Sequence, residues 1–155
     1  MKITLNLLFL IIQITLTFIL TVSVYMIFAV IDNDFGLDGI FGLLFIQPVL
    51  AVIISILTII FCLILGLPIR LNNKIRNWWT HHCYIPIIIF FCGILLLCLA
   101  LIPTFRETTI LIIDEMEKLK QIPNLTLSSI GWLLTTFSIL HLYPPKHILL
   151  KIKAI

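Results

Sequence analysis

Long apolar runs separated by short polar stretches set the pattern of this chain. Residues 3–31 are apolar apart from scattered Asn, Gln, Thr, Ser and Tyr. Residues 43–67 and 84–102 are more uniformly Ile, Leu, Val and Phe. Residues 125–143 form a fourth run, the least hydrophobic, with Ser128, Ser129, Thr135, Thr136, Ser138 and His141. A helix needs about 20 apolar residues to cross the ~30 Å hydrocarbon layer, so the pattern predicts four spanning helices. The first exceeds the layer at ~1.5 Å per residue, so it must tilt or project into water. The second stops at Gly66-Leu67-Pro68, the third at Pro103 and the fourth at Pro144-Pro145. The connections are 32–42, 68–83 and 103–124, and a tail runs over 144–155. Within the last connection, residues 108–122 place Ile112, Met116 and Leu119 on one side of a helical wheel and Asp114, Glu117 and Lys118 on the other. That spacing predicts an amphipathic helix on the outer surface. The expected fold is all-α: one membrane domain over residues 1–155, built as a four-helix bundle with this added surface helix.

Each run also carries small or polar residues at helical spacing: Asn6, Gln13, Thr17, Thr21 and Tyr25 in the first, and Ala51, Ser55, Thr58, Cys62 and Gly66 in the second. Pro86, Gly93 and Ala100 mark the third, and Ser128, Gly131, Thr135, Ser138 and His141 the fourth. Lipid tails offer no hydrophobic contrast, so helices in a membrane associate through such stripes. Gln13, Thr17, Thr135, Ser138 and His141 are therefore the expected intramembrane polar seam.

Composition agrees with this reading. Hydrophobic residues make up 61% of the 155 and charged residues 11%, against about 25% charged in a soluble domain. Mean hydropathy is +1.23. These values exclude a soluble enzyme, a disordered chain and direct nucleic-acid binding of the usual basic kind.

The few charges are strongly partitioned. Lys2, Arg70, Lys74, Arg76, Lys146, Lys151 and Lys153 fall on one side of the predicted membrane, with no acidic residue among them. All the acidic residues, Asp32, Asp34, Asp38, Glu107, Asp114, Glu115 and Glu117, fall on the other, with Arg106, Lys118 and Lys120. The positive-inside rule puts the first side in the cytoplasm. Both termini and the loop 68–83 are thus expected inside a bacterial inner membrane, and the two acidic loops outside.

Candidate chemistry is sparse. No glycine-rich phosphate loop, HExxH or GxSxG occurs, so no catalytic residue, cofactor or metal is expected. His81, His82 and Cys83 are adjacent and cannot easily converge on one tetrahedral ion. The aspartates of the 32–39 stretch fail the calcium-loop pattern, with Leu37 and Leu43 where Gly and Glu belong. Cys62, Cys83, Cys92 and Cys98 read as small buried hydrophobes. The 70–83 loop is the most distinctive segment. Arg70, Lys74 and Arg76 are read as one face of a short basic helix continuing the second span, followed by Trp78 and Trp79. Arginine with paired tryptophans is a combination that dominates binding hot spots. With Lys146, Lys151 and Lys153 of the tail, these residues are the expected docking surface for a soluble cytoplasmic protein or for anionic lipid.

In span count, size and basic inner face, the chain resembles two groups. One is the small four-span membrane subunits of anti-phage systems such as Kiwa. The other is the immunity proteins of pore-forming bacteriocins. The first resemblance implies a non-enzymatic membrane subunit, a homo-oligomer, that senses at the membrane and anchors or signals to a soluble cytoplasmic effector in anti-phage defence. The second implies an immunity protein acting on a toxin within the membrane. An oligomeric channel is the third expectation, and it requires Gln13 and the threonines to face a central axis.

Overall fold

The unbroken apolar run near the N-terminus forms one helix, α1 (Lys2–Ile31), of 30 residues. The structure, a computed structural model, describes residues 2–32, 37–113 and 116–143. After α1 the chain re-enters helix as α2 (Leu37–Phe41), passes through a π-helical turn (Gly42–Ile46) and continues as α3 (Gln47–Leu65). Pro48 explains the π turn. It has no N–H to donate and its ring crowds the preceding turn, so the helix widens there, and the Gln47 N–H bonds to the Gly42 carbonyl instead.

Gly66 ends α3, and Pro68 lies in the first turn of α4 (Leu67–Leu71). Asn72 is extended, and its side chain accepts a hydrogen bond from the Lys74 N–H at 2.9 Å, capping α5 (Asn73–His81). The break at Asn72 overturns the expected continuous basic helix: Arg70 belongs to α4, Lys74 and Arg76 to α5. Two residues later α6 (Tyr84–Leu101) begins.

Beyond a short 3₁₀ turn (Pro103–Phe105) the expected surface helix is not formed. Strands β1 (Glu107–Ile113) and β2 (Met116–Ile122) pair antiparallel, in a register running from Glu107 opposite Ile122 to Ile113 opposite Met116. The reason is local. Thr108, Thr109, Ile110, Ile112 and Ile113 are β-branched, and such side chains lose rotamer freedom in a helix but fit a pleated surface. The helical spacing of Ile112, Met116 and Leu119 is outweighed by that run. Over the described residues the fold is therefore mostly helical with a two-stranded sheet, rather than all-α. The hairpin leads into α7 (Leu125–Leu140).

Among the described residues, three helical stretches are long and apolar enough to cross a membrane: within α1, from Gly39 through α3, and α6. At 16 residues, α7 is shorter, about 24 Å. It nonetheless runs antiparallel along the whole of α6. The Ser138 hydroxyl donates to the Pro86 carbonyl at one end, Gly131 meets Gly93 in the middle, and the Asn124 N–H donates to the Ala100 carbonyl (3.2 Å) at the other end. On its remaining sides α7 packs against α1 and α3, which also pack on each other. The most polar helix is thus the central one. Thr135, Thr136 and Ser138 are buried on it, where partner helices rather than lipid surround them.

Candidate functional site

The convergence of chemistry lies at the C-terminal end of α7. The last carbonyls of a helix lack partners within it and carry its partial negative charge. Here the last carbonyl of α7 and the two that follow it are taken by side chains from three other elements. Arg70 of α4 donates through Nη2 to the Leu140 carbonyl (2.9 Å), Trp79 of α5 through Nε1 to the His141 carbonyl (2.7 Å), and Gln13 of α1 through Nε2 to the Leu142 carbonyl (2.5 Å). The guanidinium is the favourable sign of charge at a helix C-terminus, worth about 0.3–1 kcal/mol and up to ~2 when partly buried.

His141 anchors the cluster. It is fully buried, its ring stacks on Phe137 (4.4 Å between centroids, 24°), and its Nδ1 lies 2.9 Å from the Phe137 carbonyl. Its Nε2 edge occupies the space a Cβ would need at Gly66, so a glycine at the end of α3 is what lets α7 close on it. Trp79 packs edge-on against Phe137 (6.3 Å, 89°), completing an aromatic plug.

Above this plug the seam is tight. Thr17, Thr21, Thr135 and Thr136 each donate to the carbonyl four residues earlier, at 2.6–2.9 Å. Such bonds leave no hydroxyl proton aimed along a channel axis. The gap between Thr21, Leu97, Trp132 and Thr135 is only about 10 Å³, at the lower limit for a single water. Trp132 closes the seam toward α3 by donating to Thr58 Oγ1 at 3.1 Å.

The expected seam residues Gln13, Thr17, Thr135, Ser138 and His141 all contact this one interior. The expected docking residues divide. Arg70 and Trp79 are turned inward onto α7, while Lys74, Arg76 and Trp78 are exposed on α5. Lys146, Lys151 and Lys153 lie outside the described residues, as does Asp34 of the first acidic loop.

The chain matches no family model, curated protein or solved structure. Its site is therefore read from its own geometry.

At the opposite end of the bundle, Lys120 of β2 donates to the Asp32 carbonyl (2.7 Å) and lies 3.6 Å from its carboxylate, tying the hairpin to the end of α1. Asn124 caps α7 there, accepting from the Leu127 N–H at 2.9 Å. Of the cysteines, Cys62 is buried as expected, but Cys92 and Cys98 are exposed along a shallow outer groove of α6, about 430 Å³ in volume. Among the described residues no group of three or more His, Cys, Asp or Glu is placed to hold a metal.

Sequence reasoning found the residues of the α7 latch but not their convergence. A basic-aromatic loop next to a membrane usually faces outward, which is why the sequence alone points Arg70 and Trp79 to the surface. The available signal was Gly66, whose missing side chain marks where another helix closes in.

Proposed function

We propose that the chain is a non-enzymatic membrane subunit, with α7 as a fourth span, that couples events at the hairpin to a soluble cytoplasmic effector. One observation carries the reading: α7 is joined to the hairpin at one end and is held at the other by α1, α4 and α5 side chains on three consecutive carbonyls. A displacement of the hairpin therefore acts on the α4–α5 segment through one central helix. The charge partition supports an orientation with Arg70, Lys74, Arg76 and both termini in the cytoplasm of a bacterium, and the hairpin outside.

With Arg70 and Trp79 used inside the fold, the effector meets the water-facing side of α5, where Asn77 and His81 stand one turn apart, together with the basic tail. The closed seam favours a structural role over conduction through a single chain. The likeness to Kiwa-type membrane subunits makes anti-phage defence the first process to test.

Affinity capture of the full chain in mild detergent, compared with Asn77→Glu plus His81→Glu, tests the docking. A soluble protein that co-purifies with the wild type, is lost from the variant, and whose deletion has the same phenotype as loss of this chain supports it. Identical sets of co-purifying proteins for the two forms refute it.

A further inference from the structure

The two ends of the α4–α5 segment are fixed by long apolar helices, α3 before it and α6 after it, so it lies where the bundle meets the membrane boundary. Its exposed side chains include large apolar ones. Leu71 is 77% exposed, Ile75 37% and Trp78 51%. Within α5, Ile75 and Trp78 stand about 60° apart at 100° per residue and form one apolar edge, and Leu71 precedes them across the break at Asn72. The roll of α5 about its axis is set by Trp79, whose indole is bonded to the His141 carbonyl and packed on Phe137. With Trp79 inward, the apolar edge lies beside the bundle, and Asn73, Asn77 and Thr80 lie on the opposite side. Lys74 and Arg76 emerge on the two flanks between these sides, the arrangement by which basic residues snorkel around a helix lying in an interface.

Charge completes the picture. No acidic residue occurs anywhere between Asp38 and Glu107. The Lys74 ammonium has no partner among the described residues, and Arg76 makes one bond, to Asn73 Oδ1 at 2.6 Å. Two cations without carboxylates, flanking an exposed apolar edge, call for a partner that is both anionic and apolar.

We propose that α4–α5 is a binding site for anionic phospholipid, with Leu71, Ile75 and Trp78 in the acyl region of the adjoining leaflet and Lys74 and Arg76 on the headgroup phosphates. This goes beyond the coupling role above and does not rest on it. It explains why Trp78, tilted against His82 (4.7 Å, 33°), is left outside while Trp79 is inside: an amphipathic ring is stable at the headgroup level. A soluble acidic protein meets the charge requirement but leaves the apolar edge uncovered.

The test uses the full chain in nanodiscs of phosphatidylcholine with and without phosphatidylglycerol, and native mass spectrometry to count retained lipids. The wild type is expected to retain phosphatidylglycerol over phosphatidylcholine, with the preference falling about fivefold for each of Lys74→Gln and Arg76→Gln and weakening at high salt as headgroup pairing is screened. In a Trp132→Phe background that keeps Trp79, the part of the emission removed by Trp78→Phe should be quenched by lipids brominated in the acyl chains. Equal retention of the two lipids by the wild type, a preference insensitive to both substitutions and to salt, or an unquenched Trp78 that binds soluble polyglutamate instead would each overturn the proposal.

Discussion

Single residues decide how closely the central helix is approached. A Cβ at Gly131 meets the Gly93 carbonyl at 2.8 Å and Leu97 at 3.0 Å, and one at Gly93 meets the Gly131 carbonyl at 2.9 Å. These are backbone atoms that do not swing aside, so Gly131→Ala should destabilise the bundle by about 1–3 kcal/mol, the usual range for overpacking. Gly42 has nothing within 4 Å of the equivalent position, so Gly42→Ala should be neutral or slightly stabilising, by up to ~1 kcal/mol. Unfolding by SDS titration in mixed micelles measures both, and equal effects would contradict the packing described. The latch makes a sharper case. Gly66→Ala drives a methyl into the His141 ring, and Gly66→Ala combined with His141→Ala should recover part of the stability lost by the first change alone. An additive double variant would mean the two residues do not touch.

At the scale of elements, the polar ends matter as much as the apolar faces. Trp79→Phe keeps a ring against Phe137 and deletes only the N–H that reaches the His141 carbonyl. Its expected cost is about 1–3 kcal/mol, that of an unsatisfied buried acceptor, read in the same titration. The hairpin is tested by cross-linking. Thr108 and Gln121 are paired across it, so Thr108→Cys with Gln121→Cys should form a disulfide, identified by peptide mapping. In a helix over the same residues the two positions stand about 20 Å apart and no link forms. This is also where sequence reading failed. The apolar periods of α1, α3, α6 and α7 were legible because burial and lipid both act on long runs. The 108–122 segment was misread because three apolar residues at helical spacing also occur by chance in a strand pair, and the β-branched run was the better guide. The stripes through Gly93, Ala100, Gly131, Thr135 and Ser138 were legible as packing faces. Which stripe met which was not, since pairing depends on the three-dimensional order of the helices.

For the whole molecule, the central claim is that α7 crosses the membrane inside a cage of α1, α3 and α6. That claim accounts for its polarity, its short length and its three-point capture at one end. The proposal implies a topology with the hairpin on one side of the membrane and α5 and both termini on the other. The most direct measurement is side-specific labelling in intact cells. Single cysteines are placed at Asn73 and at Thr109 in a chain lacking its native cysteines, and a reporter is fused after Ile155. The account predicts that Thr109→Cys is labelled from outside, and that Asn73→Cys is protected until the membrane is opened. The C-terminal reporter should be cytoplasmic. A C-terminal reporter exposed on the same side as Thr109→Cys would contradict it, leaving three spans with α7 lying outside the membrane.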